Sequence, residues 1–195
     1  MDFQSLIESR KKILKPTTTI VTNTSGEKYE ISDGIVRNLG RKVPPFVIDN
    51  KPNLKIDLII PGLFLSSQDP VYNLDILESH EIKNVLSLGI NPEIKFLTIK
   101  YHYVDILDLP EFDLFKVLNE CIKVIHENIK ENILVHCNAG VSRSPTIVIG
   151  YLMACKEMSY TQAYDFVKNI RYIRPNDGFV NKLKSIKLED LPQLN

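Results

Sequence analysis

The run Val135-His136-Cys137-Asn138-Ala139-Gly140-Val141-Ser142-Arg143-Ser144 can be both a nucleophile and an anion cradle. Cysteine supplies a thiolate, the form that attacks electrophiles. The apolar stretch Ile133-Leu134-Val135 predicts a strand leading in, and residues 147–153 predict a helix leading out. A cysteine at such a turn faces a helix N-terminus, where free backbone N–H groups and the dipole favour negative charge. An arginine six positions on can fold back over the same anion with a planar fork of donors. The chemistry this spacing suits is attack by Cys137 on a bound phosphate dianion. The bland alternative is a buried free cysteine closing a core strand. Cys-x5-Arg alone is weak, but His136, Gly140 and Ser144 on the same run make chance coincidence rare.

Each residue of the run has a part in that reading. Backbone N–H groups from Asn138, Ala139, Gly140, Val141, Ser142 and Arg143 are expected to hold the phosphate oxygens, with Gly140 letting the loop turn back. Arg143 is expected to bind two oxygens and take up charge developing in the transition state. Ser144 is placed to donate a hydrogen bond to the sulfur, helping it leave. His136, ending a strand, is expected to point away and orient the loop. Breaking a phosphate ester also needs a proton for the leaving oxygen. Three upstream carboxylates, Asp105, Asp108 and Glu111, compete to supply it.

The string from His136 to Ser144 resembles the phosphate loop of the cysteine-dependent protein phosphatases. Its length and flanks are similar to the small, atypical dual-specificity subgroup. The likeness runs over about residues 56 to 186 and includes Gly62-Leu63-Phe64-Leu65-Ser66-Ser67-Gln68-Asp69 and Arg174-Pro175-Asn176-Asp177-Gly178-Phe179. It implies hydrolysis of phosphotyrosine and phosphoserine/phosphothreonine through a phosphocysteine, with no metal or other cofactor. It places the general acid on a loop before the nucleophile, which Asp108 matches; it also has His136 tune the thiol. Asn176, by its residues alone an N-cap, is placed by the likeness against the phosphate loop. Phosphorylated proteins are the implied partners, mitogen-activated protein kinases or their activators among them. A shallow pocket, with no long preceding segment to deepen it, would admit all three phosphoresidues. Two rivals are a phosphatase of RNA ends or phosphoinositides, and a scaffold on a dead phosphatase fold. The loop offers no basic residue besides Arg143 for the first. For the second, the chain keeps cysteine, arginine and acid.

Length, composition and pattern set the frame for that chemistry. A chain of 195 residues holds one domain with a sizeable core. Formal net charge is zero, so nothing marks a nucleic-acid or membrane surface. Three cysteines without regular spacing point to a reducing compartment, cytoplasmic with the nucleus left open. Neither an N-terminal apolar core nor an apolar run of 18 residues is present, so no signal peptide or spanning helix is expected. Residues 1–55 read as an extension: a short helix over 1–14 stopped by Pro16, strands near 17–21 and 28–31 around a turn at 23–26, and an irregular connector over 37–55. The basic and aliphatic run Arg10-Lys11-Lys12-Ile13-Leu14 offers a weak kinase-docking motif. Residues 56–190 read as the catalytic domain, with strands at 56–60, 63–65, 84–88 and 101–106. Helices are expected at 114–129 and 160–170 and after Asn176, with another opening at Asp69-Pro70. Asp105 is expected inside its strand, and Glu111 and Asp113 at the start of the next helix. The expected fold is α/β, a mostly parallel sheet with helices on both faces. Such sheets bind ligands at the carboxyl ends of their strands, where Cys137 sits. Cys121 reads as core, His126 as surface, Arg171 and Arg174 as solvated surface or added positive potential, and Cys155 as a candidate resolving thiol.

Overall fold

The computed structural model describes residues 18–22, 28–32, 35–40, 53–187 and 190–192. The expected helix over 1–14, the turn at 23–26 and the Arg10–Leu14 run lie outside them. The described residues divide into two units, within Met1–Asp49 and within Asn50–Asn195.

In the first unit β1 (Thr19–Thr22), β2 (Lys28–Ser32) and β3 (Ile35–Asn38) form an antiparallel sheet in that order. The first two strands fall where β-branched and alternating residues predict them. The third overturns the start of the expected connector. Ile35 and Val36 are strand formers whose pairing with Ser32 and Ile31 outweighs the glycines on either side.

The second unit is built on β4 (Ile56–Ile60), β5 (Leu63–Ser66), β6 (Asn84–Leu88), β7 (Lys100–Val104) and β8 (Ile133–His136). Their order is β4-β5-β8-β6-β7, with β4 antiparallel to β5 and every other pairing parallel. Among the described residues five α-helices accompany them: α1 (Leu74–Ser79), α2 (Phe115–Asn128), α3 (Arg143–Lys156), α4 (Tyr160–Ile170) and α5 (Asp177–Ser185). Alternation along the strands divides the core in two. Leu63, Leu65, Leu86, Ile133 and Val135 face a large cluster with α2, α3, α4 and α5. Phe64, Val85 and Leu134 face a smaller one with Leu74 and Leu77 of α1. The sheet is therefore mostly parallel and covered on both faces, as the sequence predicts. Strand β8 is central and ends at His136, one residue before the cysteine.

Local chemistry explains where several boundaries move. Asp69 does not cap a helix: Asp69–Tyr72 is a 3-10 turn that follows Gln68 without a side-chain cap, and α1 starts after Asn73, whose side chain accepts from the N–H of Ile76. Pro70 fixes φ for one turn, but the asparagine makes the better cap. Strand β7 stops at Val104, so Asp105 lies just outside it. Glu111 and Asp113 precede α2, which begins at Phe115. The capping box of Ser159 and Gln162 opens α4 as expected. His126 is half-buried, not a surface residue.

Candidate active site

Between the end of β8 and the start of α3 the chain makes a tight loop from Cys137 to Ser142. Its carbonyls are held from outside. That of Asn138 accepts from the N–H of Gln68 at 2.9 Å, and that of Val141 from the N–H of Arg174 at 2.7 Å. Arg171 reaches the other two: its Nε donates to Gly140 O at 3.0 Å and its terminal nitrogen to Ala139 O at 3.2 Å. Carbonyls that point outward leave the intervening N–H groups to line the concave side. Gly140 has φ +69°, and a Cβ there would lie 2.4 Å from the carbonyl oxygen of Ser66.

Ser142 occupies the N-cap position of α3 but makes no capping hydrogen bond. Its hydroxyl donates instead to Asp108 Oδ1 at 2.7 Å and accepts from the N–H of Asn176 at 3.2 Å. The first-turn N–H groups of α3 are thus not consumed by their own cap, which suits them to an anion. The sequence offers Ser142 only as a backbone donor; its side-chain role needs the fold.

Cys137 is 2% exposed, at the floor of this bowl. Ser144 Oγ donates to its sulfur at 3.2 Å. Arg143 donates to the carbonyl of Leu88 at 3.2 Å, and its Nε lies 3.9 Å from Asp108 Oδ2. Asp108 Oδ1 also accepts from Asn176 Nδ2 at 2.8 Å, while Asn176 Oδ1 caps α5 through the N–H of Phe179. Cys137, Arg143, Ser144, Ser142, Asp108 and Asn176 are therefore brought together. Asp105 is not: it accepts from the hydroxyl of Tyr103, one residue past β7. Glu111 is exposed, ahead of α2.

His136 sits on the opposite face of β8 from the cysteine, buried against Ser87. Its Nε2 is 2.7 Å from Ser87 Oγ and its Nδ1 3.3 Å from the carbonyl of Cys137. A carbonyl only accepts, so Nδ1 carries the proton and Ser87 donates into Nε2. Burial pushes the imidazole pKa down to about 4, with the nearby Arg143 adding to the shift. The folded protein therefore holds this ring neutral, whereas an unfolded chain protonates it near 6.5. Between those values the unfolded state binds more protons, so stability falls as pH drops from 6.5 to 4, by about 3 kcal/mol in all. Chemical denaturation across that range should show a drop that His136→Asn flattens; an equal drop in the variant would assign it to other groups.

Two side chains depart from expectation. Arg171 is not solvated surface. It is 7% exposed, and besides holding the loop it pairs with buried Asp57 of β4 at 2.8 Å. Cys155 does not face Cys137. It lies in the last turn of α3, about 18 Å along the axis from Arg143, far beyond disulfide reach. Cys121 is core, and burial pushes its thiol pKa up to about 12. Among the described residues no group of three or more His, Cys, Asp or Glu is placed to hold a metal ion, and no helix is long and apolar enough to cross a membrane.

Comparison with known proteins agrees with this geometry. Residues 63–188 match the family model for the dual specificity phosphatase catalytic domain. The chain is 33% identical over 190 residues to dual specificity protein phosphatase 19 of Mus musculus, covering 92% of this chain and 86% of that one. It is 39% identical over 130 residues to MAP kinase phosphatase with leucine-rich repeats protein 3 of Dictyostelium discoideum, covering 64% of this chain and 15% of that one. The crystal structure of DUSP15 superposes with a TM-score of 0.63 at 32% identity, covering 66% of this chain and 85% of that one. The chain thus belongs to the dual specificity phosphatases, as a protein phosphatase whose catalytic-domain match spans the amide bowl, its cysteine and its arginine.

Proposed function

We propose that this enzyme hydrolyses phosphotyrosine and phosphoserine/phosphothreonine in proteins by a ping-pong route through phosphocysteine at Cys137, with no metal. The observation that carries the reading is the outward pinning of four successive loop carbonyls, which leaves a ring of amides above a buried sulfur. Such a ring suits the three equatorial oxygens of a transferring phosphoryl group. In the first half-reaction the sulfur forms a bond to phosphorus as the ester P–O bond breaks. Asp108 gives its proton to the departing oxygen, and Arg143 takes up charge on the phosphoryl oxygens. In the second, Asp108 accepts a proton from the attacking water and the S–P bond breaks. The hydrogen bond from Ser144 then stabilises the leaving thiolate.

The hydrogen bonds to Asp108 suit it to this duty. Ser142 and Asn176 both donate to Oδ1, which leaves Oδ2 as the oxygen that carries the proton. Asp108→Ala should lower kcat/KM toward a phosphotyrosine or phosphothreonine peptide by about 10²–10⁴-fold. Aryl phosphates with acidic leaving groups should lose much less, because their oxygen departs without a proton. Near-normal turnover of the peptides by this variant would remove Asp108 from the mechanism. As substrates we propose mitogen-activated protein kinases or their activators, a reading supported by the name of the Dictyostelium relative. The cytoplasm is the compartment in which such partners and a free nucleophilic thiol would meet.

A further inference from the structure

We propose that the first turns of α5 are the dock that holds the acid loop, residues 107–113, over the phosphate bowl, and that Gly178 is the residue that lets the loop close. This rests on the reading of Asp108 as the general acid.

The loop has little else to hold it. Leu107 and Leu109 are about half exposed, so its apolar anchorage comes from Phe112, which packs against the core beside α5. Its backbone makes a hydrogen bond within itself, Phe112 N–H to Leu109 O, and none to the sheet is described beyond β7. What fixes it comes from α5 and from Ser142. Asn176 donates to Asp108 at 2.8 Å. Lys182 Nζ donates to the carbonyls of Pro110 and Phe112. Phe112 meets Phe179 edge to face, with ring centroids 6.4 Å apart and planes at 82°.

The tightest of these approaches is backbone against backbone. A Cβ on Gly178 would lie 2.0 Å from the carbonyl oxygen of Pro110 and 2.4 Å from its Cα. No side-chain rotation relieves a clash with main-chain atoms. The helix is not free to yield, because Phe179 and Leu183 are fully buried in the core. The loop would have to withdraw, and Asp108 lies two residues from Pro110. A withdrawn Asp108 loses both Asn176 and Ser142, the two donors that choose which of its oxygens carries the proton. Gly178 is therefore a positioning residue for the acid and has no contact with phosphate itself.

The test is the dependence of kcat/KM on leaving-group acidity, using a series of aryl phosphates together with a phosphothreonine peptide. General damage lowers every substrate alike, whereas loss of proton donation steepens the dependence. In Gly178→Ala we expect the peptide to lose tenfold or more and the most acidic aryl esters less than threefold, with inhibition by inorganic phosphate unchanged within twofold. Asp108→Asn sets the benchmark for a missing acid, and the double variant should be no worse than Asp108→Asn, since both act on one proton. If Asp108→Asn steepens the dependence but Gly178→Ala leaves it flat or shifts all substrates equally, the dock is refuted and Asp108 stands. If Asp108→Asn itself leaves it flat, the acid assignment fails and the dock falls with it. Should Gly178→Ala not fold, Lys182→Met, which removes the donor to Pro110 and Phe112 while sparing the helix, should steepen the same dependence to a smaller degree. A Lys182→Met enzyme with wild-type slope would equally overturn the proposal.

Discussion

Cys137→Ser should release phosphate from a phosphotyrosine peptide at least about 10³-fold more slowly than the wild type, while still binding inorganic phosphate. The bowl of amides is built by carbonyls pinned to Gln68, Arg171 and Arg174, through hydrogen bonds in which the sulfur has no part. Removing the sulfur therefore leaves the anion site standing and takes away only the atom that attacks. A serine hydroxyl at neutral pH carries no charge to attack with. The hydrogen bond from Ser144, which helps a thiolate depart, aids an alkoxide too little to compensate. Phosphate release measured beside phosphate binding checks the two halves separately. Turnover within tenfold of wild type would show that Cys137 is not the nucleophile.

The second large effect is expected at Arg143. Arg143→Lys keeps the charge and should still cost about 10³-fold in kcat/KM, within the range seen for transition-state arginines. The guanidinium is held on two sides, by the carbonyl of Leu88 and by Asp108. Its Nε is buried without a hydrogen-bond partner, so that edge of the guanidinium keeps donors to offer two phosphoryl oxygens in parallel. A lysine ammonium reaches the same space as a point charge and cannot match both oxygens. Both kcat and KM should worsen, because the fork binds ground state and transition state alike, the latter more strongly. A loss below tenfold would mean that the amides carry the charge by themselves.

How much of this was legible in the sequence depends on the range over which each feature is determined. The run from His136 to Ser144 is local: a strand, a turn and a helix in ten residues, with the reactive groups at fixed offsets. It could be read directly, as could the strand periods of 63–65 and 84–88 and the capping box of Ser159. Asp108 stands among three carboxylates in the sequence, favoured by the family likeness and by the expected places of Asp105 in a strand and Glu111 at a helix start. The fold separates them by ending β7 at Val104 and aiming Asp108 at Ser142. Arg171 reads in the sequence as solvated surface or added positive potential, not as a buried brace, because its partner lies 114 positions upstream and no local pattern announces a buried pair. Gly178 sat inside a helix-forming stretch, where a glycine signals nothing until Pro110 is seen against it. The Asp69-Pro70 pair misled because a proline that can open an α-helix can as well close a single 3-10 turn. Strand β3 is not legible because the five residues between Gly34 and Gly40 carry too little periodicity to outweigh the glycines.

The ion pair between Asp57 and Arg171 fixes where the working unit can begin. Arg171 braces two carbonyls at the back of the bowl, and its charge is balanced by a carboxylate on β4, upstream of the stretch that matches the family model. Stripping one member of such a sealed pair costs about 3–5 kcal/mol and strands the other in a dry interior. Ser67 adds a second tether, exchanging hydrogen bonds with the backbone of Asn53. A fragment trimmed to residue 63 would keep the cysteine, the arginine and the acid, yet lose the counter-charge that keeps the rear wall upright. Catalytic competence thus starts about ten residues before the stretch that matches the family model.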